Sequence, residues 1–401
     1  MKKPMEVKPK IETFARIKVM GIGGSGTTAV SRMAELGIRG VEFISVNTDA
    51  QALHNNQADK KVHIGKSITK GLGSGMNPEL GRQAAEESQE EIEEVISNAD
   101  MVFITCGLGG GTGTGAAPIV AELAKNRDIL TIAVVTKPFT FEGSKRKEIA
   151  EAGYENLKDK VDAIISIQND RILQIIDKKT SLIEAFTTVD EVLRQGIAGI
   201  SDLITTHGVV NADFADIRTI MQDAGTAMMG IGKASGEGRA ELAAKAAVNS
   251  PLLDMTIDGA QGVLFNITGG PDLGMFEIDE AAKVITKNVD PDARVKFGTV
   301  IDEAMGDEIR ITVIATGFDE HNRRPSTVSF AHLSDDSALS ARQAQAPVSA
   351  PIDIAQEPAR PEVRKPLFSP KPVDPVPVQS NDEETDEDEL DIPAFIRKKM
   401  K

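Results

Sequence analysis

Short runs rich in Val and Ile alternate along the first part of the chain with stretches whose apolar residues recur every three or four positions. The runs are Ile17–Met20, Val41–Val46, Met101–Cys106, Leu130–Thr136 and Ala163–Ile167. The helical stretches fall at about 27–37, 78–98, 115–126 and 143–158. Apolar strands separated by helices predict an α/β fold, a doubly wound and mostly parallel sheet with helices on both faces. Such sheets bind their ligands beyond the carboxyl ends of the strands.

A long helix is expected next, because Leu182, Phe186, Val189, Leu193, Ile197, Ile200 and Ile204 keep the same interval. Ser181 with Glu184 forms a capping-box start, and Gly208 suits the residue just past the end. Residues 222–317 read as a second, α+β unit. Its strands are expected at Gly262–Thr268, Arg294–Val300 and Glu308–Gly317, with helices near 237–249 and 276–289. All 35 glycines lie at or before Gly317, and ten prolines fall between Pro325 and Pro377. A chain of that composition cannot repay the entropy of ordering, so a disordered linker is expected there. An acidic block from Asp382 to Asp391 follows. The apolar residues Leu390, Ile392, Pro393, Phe395 and Ile396 then return ahead of a cationic end. A frayed terminus would look like this, but apolar anchors after a solvated linker favour a short docking peptide.

Composition narrows the class. Forty per cent of the 401 residues are apolar, enough for a sizeable core, yet aromatics make up only 4%, so that core is aliphatic. A net charge of −16 argues against a protein that wraps nucleic-acid phosphate. The lone Cys106 leaves no intramolecular disulfide and no cysteine-based zinc site, and suits a reducing cytosol. Met1-Lys2-Lys3-Pro4 has no apolar run behind it, so no signal peptide is expected, and no 18-residue apolar stretch predicts a membrane span.

Two glycine loops carry the chemistry. The first strand runs into Gly21-Ile22-Gly23-Gly24-Ser25-Gly26-Thr27-Thr28 and opens a helix. Glycines there let backbone N–H groups approach a phosphate at a helix N-terminus. Alone, this loop is also compatible with a Rossmann dinucleotide turn, with Asp49 as the ribose acid, or with a plain tight turn. It is no Walker A loop, because Thr27-Thr28 stands where Lys-Ser/Thr would. The third strand ends in Gly107-Leu108-Gly109-Gly110-Gly111-Thr112-Gly113-Thr114-Gly115, six glycines in nine residues. Each costs backbone entropy, so a turn alone does not account for them. Loops at neighbouring strand ends can hold a long phosphate chain from both sides with amides and Thr hydroxyls.

With the preceding Phe103-Ile104-Thr105-Cys106, the second loop resembles the glycine signature shared by tubulins and FtsZ. So do Asn47–Leu53, Gly71–Pro78, Thr136–Phe139 and Asn211–Asp216, which extend the resemblance over about residues 15–317. The end of the chain is similar to the adaptor-binding tail of bacterial members of this family. The resemblance implies a filament-forming GTPase of bacterial cytokinesis, cytoplasmic and placed at the mid-cell division site beneath the membrane. Its partners would be itself, head to tail, and membrane-tethering division proteins through the tail. It would use GTP and GDP, with Mg²⁺ held through phosphates and water. The implied division is a flexible N-terminus (1–14), a GTP-binding domain (15–180), a central helix with catalytic loop (181–221) and a C-terminal α+β domain (222–317). A linker (318–386) and a tail peptide (387–401) complete the chain.

For the site, the resemblance implies phosphate contacts from Gly24, Ser25, Gly26, Thr27, Gly110, Gly111, Thr112 and Gly113. Thr28 stands near the base, where many family members carry Asn; it offers a hydroxyl but no amide. Glu142 and Arg146 are implied at the ribose and α-phosphate, although four residues apart they also read as a plain helical ion pair. Phe186 and Asp190 share one helix face. A ring to stack on and a carboxylate to accept from guanine N1–H and its amino group would select guanine, although Phe186 is also in register with the apolar stripe. Asn169 is either a further base contact or a turn residue. Asp213, Asp216 and Asn211 are implied as the groups that orient the attacking water, while Asp213-x-x-Asp216 also reads as an N-cap with an acid at N3.

Sixteen helical residues between Asp190 and position 206 span roughly 24 Å. The acids therefore act on the nucleotide of a second subunit. Contacts between unlike surfaces build a filament when their rotation does not close. Two rivals remain. A nicotinamide oxidoreductase would use the first loop only and carry a dinucleotide. A non-hydrolysing GTP scaffold would leave both aspartates idle, and would release no phosphate at any protein concentration.

Overall fold

The computed structural model describes residues 15–38, 40–177, 179–205, 213–253, 256–287 and 289–318. Gly208, Asn211, the N-terminal segment, the linker and the tail peptide lie outside them. In chain order the first half runs β1 (Ile17–Ile22), α1 (Gly23–Leu36), β2 (Val41–Asn47), α2 (Ala50–His54), β3 (Lys60–His63), α3 (Lys66–Thr69), α4 (Pro78–Glu87), α5 (Gln89–Ile96), β4 (Met101–Gly107) and α6 (Thr112–Lys125). Then come β5 (Leu130–Lys137), a 3₁₀ turn (Thr140–Glu142), α7 (Ser144–Lys158), β6 (Ala163–Gln168), α8 (Asn169–Ile172), α9 (Leu182–Thr205) and α10 (Phe214–Met221). The rest is β7 (Gly225–Ser235), α11 (Arg239–Val248), β8 (Gly262–Gly269), α12 (Met275–Thr286), β9 (Arg294–Ile301) and β10 (Glu308–Thr316).

These strands form one ten-stranded sheet in the order β3-β2-β1-β4-β5-β6-β7-β10-β8-β9. All pairs are parallel except β7–β10 and β10–β8. Strand residues alternate between two cores with the period of two that a pleated strand imposes. Ile17, Val19, Met101 and Phe103 pack with α1 and α9, whereas Met20, Ile22, Val102 and Ile104 pack with α4, α5 and α6. A third core joins β8 and β10 to α11 and α12.

Two expectations need correction. The stretch 78–98 is two helices, because Ser88 leaves helical geometry at φ −106°, ψ 26°, and its hydroxyl accepts from the Gly65 N–H. The second unit has four strands among the described residues, not three: β7, unforeseen in the sequence, pairs with β6 over three residues and with β10 on its other side, so that one sheet continues from the first part into the second. β7 escaped notice because Gly230 and Gly232 break its apolar pattern. A side chain at either would collide with the Ala247 or Ala243 carbonyl of α11, which lies directly on the strand.

The 24-residue α9 is about 36 Å long. Its start is a reciprocal capping box: Ser181 N–H donates to Glu184 Oε2 at 2.7 Å and Glu184 N–H to Ser181 Oγ at 3.2 Å. It packs closely on the sheet, since a side chain at Gly196 would press on Met229 of β7 and one at Gly199 on Thr312 of β10.

Candidate functional site

β1 is the point where the sheet changes direction, with β2 on one side and β4 on the other. The two glycine loops leave the carboxyl ends of β1 and β4, side by side. The Gly107 N–H donates to Ser25 Oγ at 3.0 Å and ties them together. No side chain caps the N-terminus of α1 or of α6, so neither helix has its first N–H groups taken by a capping side chain. Converging helix N-termini of this kind attract anions.

Most of the glycines are there for packing. A side chain at Gly26 would strike the Thr105 carbonyl, one at Gly111 the Ser74 hydroxyl and one at Gly115 the Pro78 carbonyl. Gly24 and Gly110 differ. A Cβ at Gly24 would meet nothing within 4 Å, and one at Gly110 only the Gly107 carbonyl oxygen, at 3.9 Å. Each loop therefore leaves one open place where a ligand can approach the backbone.

The threonines are largely committed. Thr27, 2% exposed, donates its hydroxyl to the Gly23 and Gly24 carbonyls, and Thr28 donates to Gly24 O at 2.9 Å. Both therefore have their backbone, not a free hydroxyl hydrogen, to offer. Thr112 Oγ1 lies 2.7 Å from Thr48 Oγ1 and 2.8 Å from Ser74 Oγ, a buried hydroxyl cluster joining three loops. Gly24, Thr27, Thr28, Gly110, Gly111, Thr112 and Gly113 all belong to the two loops or the helix starts they open.

Beside the loops is a cleft whose walls include Ser25, Gly26, Glu142, Arg146, Asn169, Phe186 and Asp190, seven residues selected from the sequence, together with Thr105, Cys106 and Thr136. Three buried atoms in its lining, Thr105 Oγ1, Arg146 Nε and Asn169 Oδ1, have no hydrogen-bond partner among the described residues. Buried polar groups without partners are costly, and here they line the cleft that a polar ligand would fill. Arg146 also makes the i,i+4 ion pair with Glu142 at 2.7 Å, and Glu142 Oε1 accepts from the Phe139 N–H. Phe186 is not core. It is 39% exposed and braced edge-on by the buried Phe139, with ring centroids 5.6 Å apart.

Asp190 pairs with Arg32, a contact missed in the sequence. Arg32 lies one helical turn beyond Thr28, and that spacing was its only signal. Burial pushes the Asp190 carboxyl up to about 6, while the Arg32 guanidinium pulls the other way. Burial likewise pushes the Cys106 thiol up to about 12, so it stays protonated and unreactive at neutral pH. Asp49, the ribose acid of the dinucleotide alternative, instead caps α2, accepting from the Gln51 and Ala52 N–H groups.

Asp213 and Asp216 stand apart from the cleft. Asp213 is the N-cap of α10 and accepts from the Asp216 N–H at 2.7 Å; Asp216 pairs with Lys296 of β9 at 2.8 Å. α10 is held by Arg218, which binds Asp128 at the entry to β5. Thr136, at the far end of β5, lines the cleft. From Leu130 to Thr136 the strand covers roughly 20 Å, and from Asp190 to Thr205 α9 covers roughly 22 Å. The β5 path, reached from α10 through Arg218 and Asp128, puts the acids and the cleft at opposite ends of that strand. A wider depression bounded by Gln222, Asp290 and Arg294 adjoins Phe318, but none of its lining residues has a buried polar atom without a partner.

A doubly wound sheet with two uncapped helix N-termini at its switch point, opening on a cleft with a ring and a buried carboxylate, defines a nucleotide-binding α/β protein. Family models refine this. Residues 16–177 match the GTPase domain of the tubulin/FtsZ family, and residues 225–319 match the C-terminal domain of the FtsZ family. Among solved structures, an empty FtsZ dimer from M. jannaschii is 46% identical, with a TM-score of 0.73 over 76% of this chain and 89% of that one. GDP-bound CetZ1 from Haloferax volcanii is 22% identical, with a TM-score of 0.67 over 76% of this chain and 95% of that one; at that identity the likeness concerns the fold alone. The chain belongs to the tubulin/FtsZ family, and it is a guanine-nucleotide-binding GTPase.

Proposed function

We propose that this GTPase polymerises head to tail, each catalytic site being completed by the next subunit, and that its filaments form the cytokinetic ring in cell division. The observation that carries this reading is the separation of roughly 20 Å between the cleft and Asp213/Asp216 along β5. An acid at that distance cannot order a water at a phosphate in its own chain. The M. jannaschii relative, described as a dimer, supports self-association.

In this reading Phe186 stacks on the base, and Asp190, helped by Asn169, accepts from guanine. Glu142 and Arg146 take the ribose and α-phosphate. Ser25, Gly26, Thr27 and the N–H groups at Gly24 and Gly110–Gly113 receive the phosphate chain, and Thr28 stands near the base. Asp213, Asp216 and Asn211 of the following subunit orient water, contributing position and electrostatics more than basicity. Among the described residues no cluster of three His, Cys, Asp or Glu side chains could hold a metal. In the same reading a Mg²⁺ ion would be carried by the phosphates of GTP and by water. The division into GTP-binding domain (15–180), central helix and catalytic loop (181–221), C-terminal domain (222–317), linker (318–386) and tail (387–401) belongs to the same proposal. So do a cytoplasmic, mid-cell location and a membrane-tethering adaptor at Leu390, Ile392, Pro393, Phe395 and Ile396.

The deciding experiment is phosphate release from GTP against protein concentration, with sedimentation in parallel and ATP as control. Specific activity should rise with concentration alongside pelleted protein, and ATP should substitute poorly. Activity that is constant down to the monomer range would overturn the shared site.

A further inference from the structure

We propose that Lys296 is a positioning residue for Asp216: it holds the carboxylate in place and balances its charge when the acid-bearing face meets the next subunit's nucleotide. The inference rests on the reading of Asp213 and Asp216 given above. Its geometry is independent of that reading. Asp216 sits in the first turn of α10 and Lys296 is the third residue of β9, so the 2.8 Å contact joins segments eighty positions apart. Arg294, two residues earlier and hence on the same face of β9, reaches the Thr219 carbonyl of α10 at 3.5 Å. On the far side, Arg218 ties α10 to Asp128. β9 thus presents two cations to the helix that carries both acids.

The electrostatic need is specific. One oxygen of Asp213 is taken by the Asp216 N–H and one oxygen of Asp216 by Lys296, which leaves each acid a second oxygen. Two carboxylates brought towards a triphosphate repel it. The opposing charges at this face are the start of α10, whose dipole is positive, and Lys296. In the free chain both side chains are partly exposed, 34% for Asp216 and 46% for Lys296, so water screens the pair and it adds little to stability. Covering by another subunit removes that water and strengthens the same contact. The effect of Lys296 therefore belongs to the assembled state.

The test compares Lys296→Met, Lys296→Arg and Asp216→Asn in the full chain, measuring GTP turnover per sedimented protein and GDP affinity of the unassembled protein. Lys296→Met should lower kcat about tenfold, the loss of roughly one charge-assisted hydrogen bond. KM and GDP affinity should stay unchanged, because the cleft is at the other end of the sheet. Lys296→Arg should restore most of kcat, and combining Lys296→Met with Asp216→Asn should cost no more than Asp216→Asn alone. Normal kcat in Lys296→Met beside an inactive Asp216→Asn would overturn the Lys296 proposal alone. A deficit explained wholly by reduced pelleting would do the same. Normal turnover in Asp216→Asn would instead overturn the underlying reading of the α10 acids.

Discussion

The two ends of α9 are finished differently. At the Phe186 and Asp190 end, three buried polar atoms in the cleft lining lack partners among the described residues, and two helix N-termini lack side-chain caps. Beyond Thr205 the situation is reversed. Asp213 caps its own helix and Asp216 has Lys296, so these polar groups are partnered, and neither lines a described cleft. One region is a cleft with unpartnered polar groups, and the other holds Asp213 and Asp216 with their partners and no cleft lined by either. The contrast is what the proposed head-to-tail assembly predicts: each chain would carry one half of the chemistry at each end of the sheet.

The largest effect is expected from separating the halves genetically. Asp213→Ala should bind GTP normally yet lose turnover by about a hundredfold or more, the scale of removing one electrostatic contributor to a transition state. Gly110→Ser should damage the other half without misfolding, since its Cβ meets only an ordinary contact at 3.9 Å. Each variant alone should be nearly inactive. A mixture should recover part of the phosphate release, through junctions with nucleotide on the Asp213→Ala chain and acids from the Gly110→Ser chain. Full activity in Asp213→Ala alone, or a mixture no better than the sum of its parts, would show that the halves are not shared.

A smaller effect is expected at the base. Asp190→Ala should narrow the preference for GTP over ATP by about tenfold, a loss of about 1.4 kcal/mol in discrimination; an unchanged ratio in competition assays would remove Asp190 from base recognition. The same carboxyl sets a pH dependence. Burial raises it from 3.8 to about 6 in the folded chain, so the fold favours the neutral acid. The stability it contributes to the nucleotide-free protein is present at low pH and is lost as pH rises through about 4 to 6. If Asp190 accepts from guanine as proposed, the ionised form is the binding form, and nucleotide affinity should move oppositely, weakening as pH falls through about 6. Titrating affinity and thermal midpoint over this range checks both signs, and Asp190→Asn should flatten both curves.

Much of the site was legible because its spacing is local. Phe186 and Asp190 are one helical turn apart, so α9 places them on one face; Glu142 and Arg146 have the same spacing, although Glu142 ends the 3₁₀ turn just before α7. Arg32 and Lys296 were not legible, since each meets its acid across a long sequence separation, 158 residues for Arg32 and Asp190. The glycine loops were visible as a signal, but not the division of labour within them. A glycine that avoids a carbonyl and one that leaves room for a ligand look alike in sequence. β7 shows the same limit, because its glycines answer to the backbone of α11.

The sequence by itself determined the periodic elements, the α/β class, the two loops at neighbouring strand ends and the capped start of α9, because each depends on residues within a turn or a strand of one another. Tertiary structure alone decided that one ten-stranded sheet runs through both halves, that Gly24 and Gly110 are the open positions, and that Arg32 and Lys296 sit on Asp190 and Asp216. Those outcomes depend on which distant backbones come close enough to exclude a side chain or to share a charge, and only packing of the whole chain sets such distances.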